Sequence, residues 1–369
     1  MILIHSARRL DNERTDNWLL LDTHVRRSGT GDGWTAFSSQ AEEVLSASGG
    51  YISTPMIETH SHGAGGHAVE DGADSIRAFV RHLRGRGVGR VIASLVSLPP
   101  ELLISAISAA RELAGQEPGF LGVHLEGPFI ALEKCGAHDT SAVRPPTDDE
   151  LEALISAGAR EDGNVIRSIT VAPELFEKSQ LRFLRDKGIQ LCMGHTSSTY
   201  EQAIDFFAAG GKVVTHTFNA MKPISHKEPG PILAAFGTDG VFLELIADGV
   251  HVHPSAAKLI PKERLLLVSD SMSAADLGDG DYLLGTLKVR VNESIARTES
   301  GSLAGSTLSL SKAVENYAAW TRDARSAIAA ATINPCLAYG IEPPKIVEGG
   351  AAELLLFSEH GVLQRQFNL

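Results

Sequence analysis

Cysteine is scarce in this chain: three residues in 369, at positions 135, 192 and 336, too few and too scattered for a disulfide framework or a zinc–cysteine cluster. That usage fits a reducing, cytoplasmic setting. It leaves any metal to be held by histidine and carboxylate. Basic charge is also short. With 33 Lys+Arg against 45 Asp+Glu the formal balance is −12, which argues against nucleic acid as the main partner, because that affinity comes largely from Lys and Arg neutralising phosphates. A local basic pocket for a small anion stays compatible with the balance. No run approaches about 18 consecutive apolar residues, so no membrane span is expected. The start, Met1-Ile2-Leu3-Ile4 with Arg8-Arg9 behind it, has its basic residues after a short apolar run, the reverse of a secretory signal. At 43% hydrophobic and 21% charged, the composition is that of a globular protein and excludes disorder, collagen and coiled coil. The length implies one large domain or two smaller ones.

What is present in quantity is histidine, 14 residues, and its placement follows the chain's periodicity. Eight short β-type runs fall at 56–60, 90–95, 121–126, 166–171, 190–195, 212–216, 242–247 and 265–270. Helix-like stretches lie between them, among others at 75–84, 101–113, 148–157, 177–187 and 199–209. Strict alternation with apolar strands indicates a parallel sheet covered by helices, and eight units predict a (β/α)8 TIM barrel. The ends differ. Short strand-like pieces at 1–5 and 18–21, and at 351–358 and 361–367 after Glu342-Pro343-Pro344, predict one small β-sandwich built from both termini. The expected division is 1–53 with 344–369 for the small domain and 54–343 for the barrel.

The polar residues cluster at strand ends. His60 and His62 follow the first run as H-x-H; Glu126 ends the third, His195 the fifth, His216 the sixth and Asp270 the eighth. In a (β/α)8 barrel the carboxyl ends of the strands converge on the active-site face, so six N/O donors are expected in one small volume. Residues i and i+2 of a strand point the same way, which lets His60 and His62 close on one ion. This donor set suits Zn2+, Fe2+ and similar divalent ions better than Ca2+ or Mg2+. Glu126, central in strand order, is the candidate for a carboxylate shared by two ions. Each feature alone has a plain structural explanation: a chance H-x-H, a hydrogen-bonded core histidine, an aspartate capping a helix. Their joint position is what points to metal. Glycines beside Glu126 and His195 suit tight turns at a crowded site.

The runs His124-Leu125-Glu126-Gly127-Pro128-Phe129, Gly194-His195-Thr196, His216-Thr217-Phe218-Asn219-Ala220-Met221, Ala247-Asp248-Gly249-Val250-His251-Val252 and Ser269-Asp270-Ser271-Met272 resemble the N-acetylglucosamine-6-phosphate deacetylases of the amidohydrolase superfamily, in order and over essentially the whole chain. The resemblance implies a metal-dependent barrel with a small β-sandwich. It also implies removal of acetate from N-acetylglucosamine 6-phosphate, leaving glucosamine 6-phosphate, in amino-sugar catabolism and cell-wall recycling. It implies Glu126, His195 and His216 as metal ligands, His60 and His62 as the pair completing a second site, and Zn2+ or Fe2+ as one or two ions per subunit. Asp270 matches the catalytic aspartate, acting as general base and then general acid while a metal-activated water attacks the acetyl carbonyl. His138, Asn219, Ala220 and His251 match positions that hold the sugar phosphate. A homodimer is implied, with His226 or Lys227 reaching the phosphate from the neighbouring subunit. Two departures stand out: Lys227 where arginine is common, which keeps charge but loses the bidentate fork, and Cys135 where lysine is usual. The alternatives are another N-acyl hexosamine phosphate such as N-acetylgalactosamine 6-phosphate, a cyclic amide, or a non-catalytic sugar-phosphate-binding barrel. The last would have lost a ligand or the acid/base, and none is missing. A positive barrel mouth is expected despite the acidic surface.

Overall fold

A computed structural model describes residues 1–368. Its centre is an eight-stranded all-parallel sheet of β1 (Met56–Glu58), β2 (Val88–Leu95), β3 (Phe120–Glu126), β4 (Ile166–Val171), β5 (Gln190–Met193), β6 (Val213–Val214), β7 (Phe242–Ile246) and β8 (Leu265–Val268), ordered along the sheet as in the chain. The runs are apolar because both strand faces are covered: Val91, Ala93, Val123, Ile169, Leu191, Val214, Leu243 and Leu267 are all buried. Backbone bonds just past the strand ends join the first to the eighth. Asp270 N donates to His60 O (2.8 Å) and His62 N to Ser271 O (2.7 Å). The Glu58 carboxylate accepts from Ser269 N across the same seam (3.1 Å). The (β/α)8 barrel is therefore closed.

The helices α1 (Ala73–Arg84), α2 (Pro100–Leu113), α3 (Asp148–Gly158), α4 (Lys178–Asp186) and α5 (Tyr200–Ala208) stand where the periodicity predicts them, within two residues at each end. Their boundaries have local causes. Thr147 caps α3 by accepting from Glu150 N, and Thr199 with Gln202 forms a reciprocal capping box at the start of α5. Each helix turns one apolar face to the barrel; in α1 these are Ile76, Phe79, Val80 and Leu83.

The terminal segments form a second sheet from Ile2–Arg9, Asn17–Leu21, Val25–Thr30, Glu43–Ser46, Tyr51–Ser53, Leu354–Phe357 and Leu363–Phe367. The first strand kinks at Ser6, where φ is 56°. Before the kink it pairs with Glu43–Ser46, and after it with Tyr51 and Ile52. The two halves fold over a core of Ile4, Ala7, Leu19, Leu21, Val25, Ile52, Leu354, Leu356 and Phe367, so the sandwich expected from both termini is present. Leu369, the last residue of the expected small domain, lies outside the described residues.

Among the elements that were not expected, one bears on the site. A three-stranded antiparallel sheet, Gly280–Leu284, Leu287–Asn292 and Ile295–Thr298, is inserted between β8 and the long helix Leu310–Thr321. It reaches over the carboxyl ends of the barrel strands, and with the turn that follows it forms one wall of the cavity there, through Leu284, Ser302, Leu303 and Gly305.

Candidate metal centre

The ligand candidates sit at the strand ends in a regular pattern. Glu126 is the last residue of β3, while His60, His195, His216 and Asp270 each stand two residues beyond β1, β5, β6 and β8. Three of them leave their strand through a left-handed backbone: φ is 47° at His195, 28° at His216 and 47° at Asp270. Such conformations cost on the order of 1–3 kcal/mol for a non-glycine residue and persist only where the surroundings impose them. Here they turn each side chain inward to one point. Glycine is required nearby: a Cβ at Gly127 would stand 2.3 Å from Ser97 Oγ, and one at Gly194 would press on Thr170 and Thr215 at 2.8 Å.

Glu126 is the hub. Its Oε1 lies 3.1 Å from His195 Nε2, 2.9 Å from His216 Nε2 and 3.4 Å from His60 Nε2, and its Oε2 lies 3.2 Å from His62 Nε2. Asp270 Oδ1 completes the second set, 3.5 Å from His60 Nε2 and 3.3 Å from His62 Nε2. Two groups of three buried donors result, Glu126/His195/His216 and His60/His62/Asp270. The fit to divalent metal rests on two observations. His195 Nε2 and His216 Nε2 approach to 2.9 Å while both face one carboxylate oxygen, and His60 Nε2 is buried without any hydrogen-bond partner. Unsatisfied lone pairs converging in this way are what a cation satisfies.

Tautomers separate ligands from other histidines. His195 donates Nδ1–H to the Lys134 carbonyl (2.7 Å), leaving Nε2 bare toward the centre. His138 is reversed. Its Nδ1 accepts from Ser97 N (3.1 Å), so Nε2 carries the proton and faces Glu126 Oε2 at 3.3 Å. His138 is thus a donor beside the metal position, suited to a substrate oxygen.

Burial opposes charge on every carboxylate here, yet at the two ligand carboxylates the histidines win. Glu126 is held well below the usual carboxylate range by His60, His138, His195 and His216, and Asp270 is drawn down to about 2 by His60 and His62. Burial likewise opposes a charged His62, but Asp270 and Glu126 push it up to about 9. Glu58 gains less from its neighbours, and burial lifts it to about 7. At the rim, Asp248 Oδ2 stands 2.6 Å from His251 Nδ1 and raises His251 against its burial.

A cavity of about 520 Å3 opens above the centre. His62, Glu126, His138, His195, His216, Asn219, Ala220, His251 and Asp270 all line it. The site residues expected from sequence are thus brought together, with two exceptions. His226 and Lys227 lie on the loop before the helix Gly230–Gly237 and do not line it. Among the described residues, Lys134 is the only lysine or arginine in the wall, against Glu126, Glu133 and Asp270, so the expected positive mouth is not built from this chain's fixed cations alone. Cys135 lines the cavity, half-buried. Sequence reasoning missed Glu58 and Glu244, buried carboxylates at the end of β1 and inside β7, and the inserted wall. The available signal was an acidic residue in an apolar strand.

A closed (β/α)8 barrel carrying two carboxylates and four histidines at its carboxyl face defines a metal-dependent hydrolase. The sequence profile of the amidohydrolase family matches residues 52–367. The chain is 34% identical to an N-acetylgalactosamine-6-phosphate deacetylase of Escherichia coli O157:H7 over 91% of its length and 89% of that protein's. It is 33% identical to an N-acetylglucosamine-6-phosphate deacetylase of Bacillus subtilis over 86% and 83%. Among solved structures, a mutant of the Mycobacterium smegmatis N-acetyl-D-glucosamine-6-phosphate deacetylase, in complex with N-acetyl-D-glucosamine-6-phosphate, superposes with a TM-score of 0.89 at 31% identity, covering 99% of this chain and 97% of that one. The chain belongs to the amidohydrolase family and, within it, to the N-acetylglucosamine-6-phosphate deacetylase group.

Proposed function

We propose that the protein hydrolyses the acetamide of N-acetylglucosamine 6-phosphate to acetate and glucosamine 6-phosphate. The observation that carries this reading is the double donor set around Glu126, at the floor of a cavity also lined by His138, Asn219, Ala220 and His251. Glu126, His195 and His216 would hold one Zn2+ or Fe2+ ion, and His60, His62 and Asp270 a second. When bound, such an ion lowers the pKa of water to about 7 and polarises a carbonyl oxygen. Asp270, ionised at neutral pH, accepts the proton of the attacking water and returns it to the departing amine nitrogen. His138 offers its Nε2–H to the substrate, and His251, its protonated form favoured by Asp248, faces the phosphate.

With one wall lysine for a dianionic group, the position of His226 and Lys227 outside the cavity supports a homodimer in which the partner's loop completes the phosphate site. An apolar core drawn wholly from the two terminal segments, from Ile4 to Ile52 and from Ile346 to Phe367, supports division into 1–53 with 344–369 and 54–343, the two units meeting where Tyr51, Leu355 and Phe357 pack on the barrel. Three free cysteines support a cytoplasmic location. No helix among the described residues is long and apolar enough to cross a membrane.

A second reading, N-acetylgalactosamine 6-phosphate, is favoured by the Escherichia coli relative. Acetate release from both epimers by protein loaded with Zn2+, Fe2+, Mn2+ or Co2+ tests the two together. Faster turnover of the gluco epimer supports the first reading and faster turnover of the galacto epimer the second. No release from either with any metal overturns both.

A further inference from the structure

Glu244 lies in the middle of β7, within Phe242-Leu243-Glu244-Leu245-Ile246, and is 2% exposed. A carboxylate inside an apolar barrel strand costs several kcal/mol unless its charge is answered. Two groups answer it. Glu244 Oε2 stands 2.9 Å from His60 Nδ1 and accepts from the backbone N–H of His216 at 3.3 Å. A carboxylate can only accept, so Nδ1 of His60 carries a proton, and in the neutral ring, the form that binds a metal, Nε2 presents the lone pair. That Nε2 has no hydrogen-bond partner and faces Glu126 Oε1 and Asp270 Oδ1 at 3.4 and 3.5 Å. The same oxygen of Glu244 steadies the backbone of His216 where φ is 28°. One side chain, 184 residues from His60 in sequence, thus ties a ligand of the second donor set to a ligand of the first.

We propose that Glu244 is a positioning residue for the second metal position: by fixing the tautomer and ring plane of His60 it turns the His60/His62/Asp270 set into a built site. This rests on the reading that this set holds an ion. A carboxylate behind a ligating histidine raises its basicity and fixes its orientation, and its loss weakens metal binding by about 10–100-fold.

The test uses the full-length protein stripped of metal and titrated with Zn2+ alone, with bound metal counted by elemental analysis after equilibrium dialysis. A parallel Co2+ titration reads each site by its absorption spectrum. The unaltered protein is expected to bind two ions. Glu244→Leu is expected to bind the second ion about 10–100-fold more weakly and to weaken the first, whose ligand His216 it touches only through the backbone, by clearly less. Glu244→Gln, which keeps an acceptor but not the charge, should fall between; if the leucine variant does not fold, the glutamine variant decides. The melting temperature of the metal-free variants should stay close to that of the unaltered protein, while the shift produced by the second ion shrinks. Two ions bound with unchanged affinity by Glu244→Gln would overturn the role of Glu244 alone. Equal weakening of both ions would overturn it as well. A single ion in the unaltered protein would overturn the two-ion reading and this role together, yet leave the deacetylase reading standing if acetate is still released.

Discussion

In the terminal sandwich, Ile4, Leu19, Leu21, Leu354 and Leu356 pack against one another while Arg26, Arg27, Glu42 and Glu353 stay at the surface. At the barrel mouth, Glu58, Glu126, Glu244 and Asp270 are all buried, with histidines among them, and three ligands adopt left-handed backbone. The sandwich obeys the ordinary division of apolar inside and charged outside. The mouth inverts it, and an inversion of this density persists only where neighbouring groups answer the charges. The sandwich therefore supplies stability, and the mouth supplies chemistry that draws on the stability of the remainder.

That division can be broken experimentally. The largest effect is expected at Asp270. Asp270→Asn should lower turnover by about 10²–10⁴-fold while calorimetry still detects substrate binding; activity within tenfold of the unaltered protein would remove Asp270 from proton transfer. Next comes the sandwich. Leu19→Ala should lower unfolding free energy by about 2–5 kcal/mol in chemical denaturation and leave kcat/KM unchanged at moderate temperature. A kinetic defect there would dissolve the contrast between the two regions.

Smaller effects sharpen it. His251 is raised above its ordinary value of 6.5, so its positive charge is present below the raised value and lost as pH rises through it. KM for a phosphorylated substrate should climb on that alkaline limb. Asp248→Asn keeps the acceptor for the Val250 and His251 backbone N–H groups but removes the charge. It should move the climb to lower pH, with about a tenfold rise in KM between the two limbs; coincident pH profiles would free His251 from the phosphate. The smallest change is expected at exposed Lys227. Lys227→Ala should cost about 0.2–1 kcal/mol of substrate affinity, and Lys227→Arg should restore or improve it through the bidentate fork. Equal KM values across the three proteins would take this loop out of the site.

The barrel was legible because parallel strands buried on both faces read as apolar runs, and because the donors Glu126, His195, His216 and Asp270 close such runs. Glu244 and Glu58 were passed over for the same reason. Each hides inside an apolar run, and the partner that explains Glu244 is 184 residues away in sequence. The inserted sheet at 280–298 carries the alternating pattern of a half-exposed antiparallel strand, as in the burial of Leu287–Asn292, and a search for fully buried runs slides over it. Tautomers were beyond reach as well: only the Lys134 carbonyl and the Ser97 amide tell His195 from His138.

The pairing of Tyr51–Ser53 with Leu354–Phe357 has a consequence for the growing chain on the ribosome. Some 301 residues separate the two strands (354 − 53), so at about 5–20 residues per second the earlier strand waits roughly 15–60 s for its partner. During that interval the barrel strands emerge and can find one another, while the N-terminal half-sandwich keeps an open edge, the kind of template on which stray chains pair. Synthesis in the cell thus means that the sandwich can be completed only after every barrel strand has emerged.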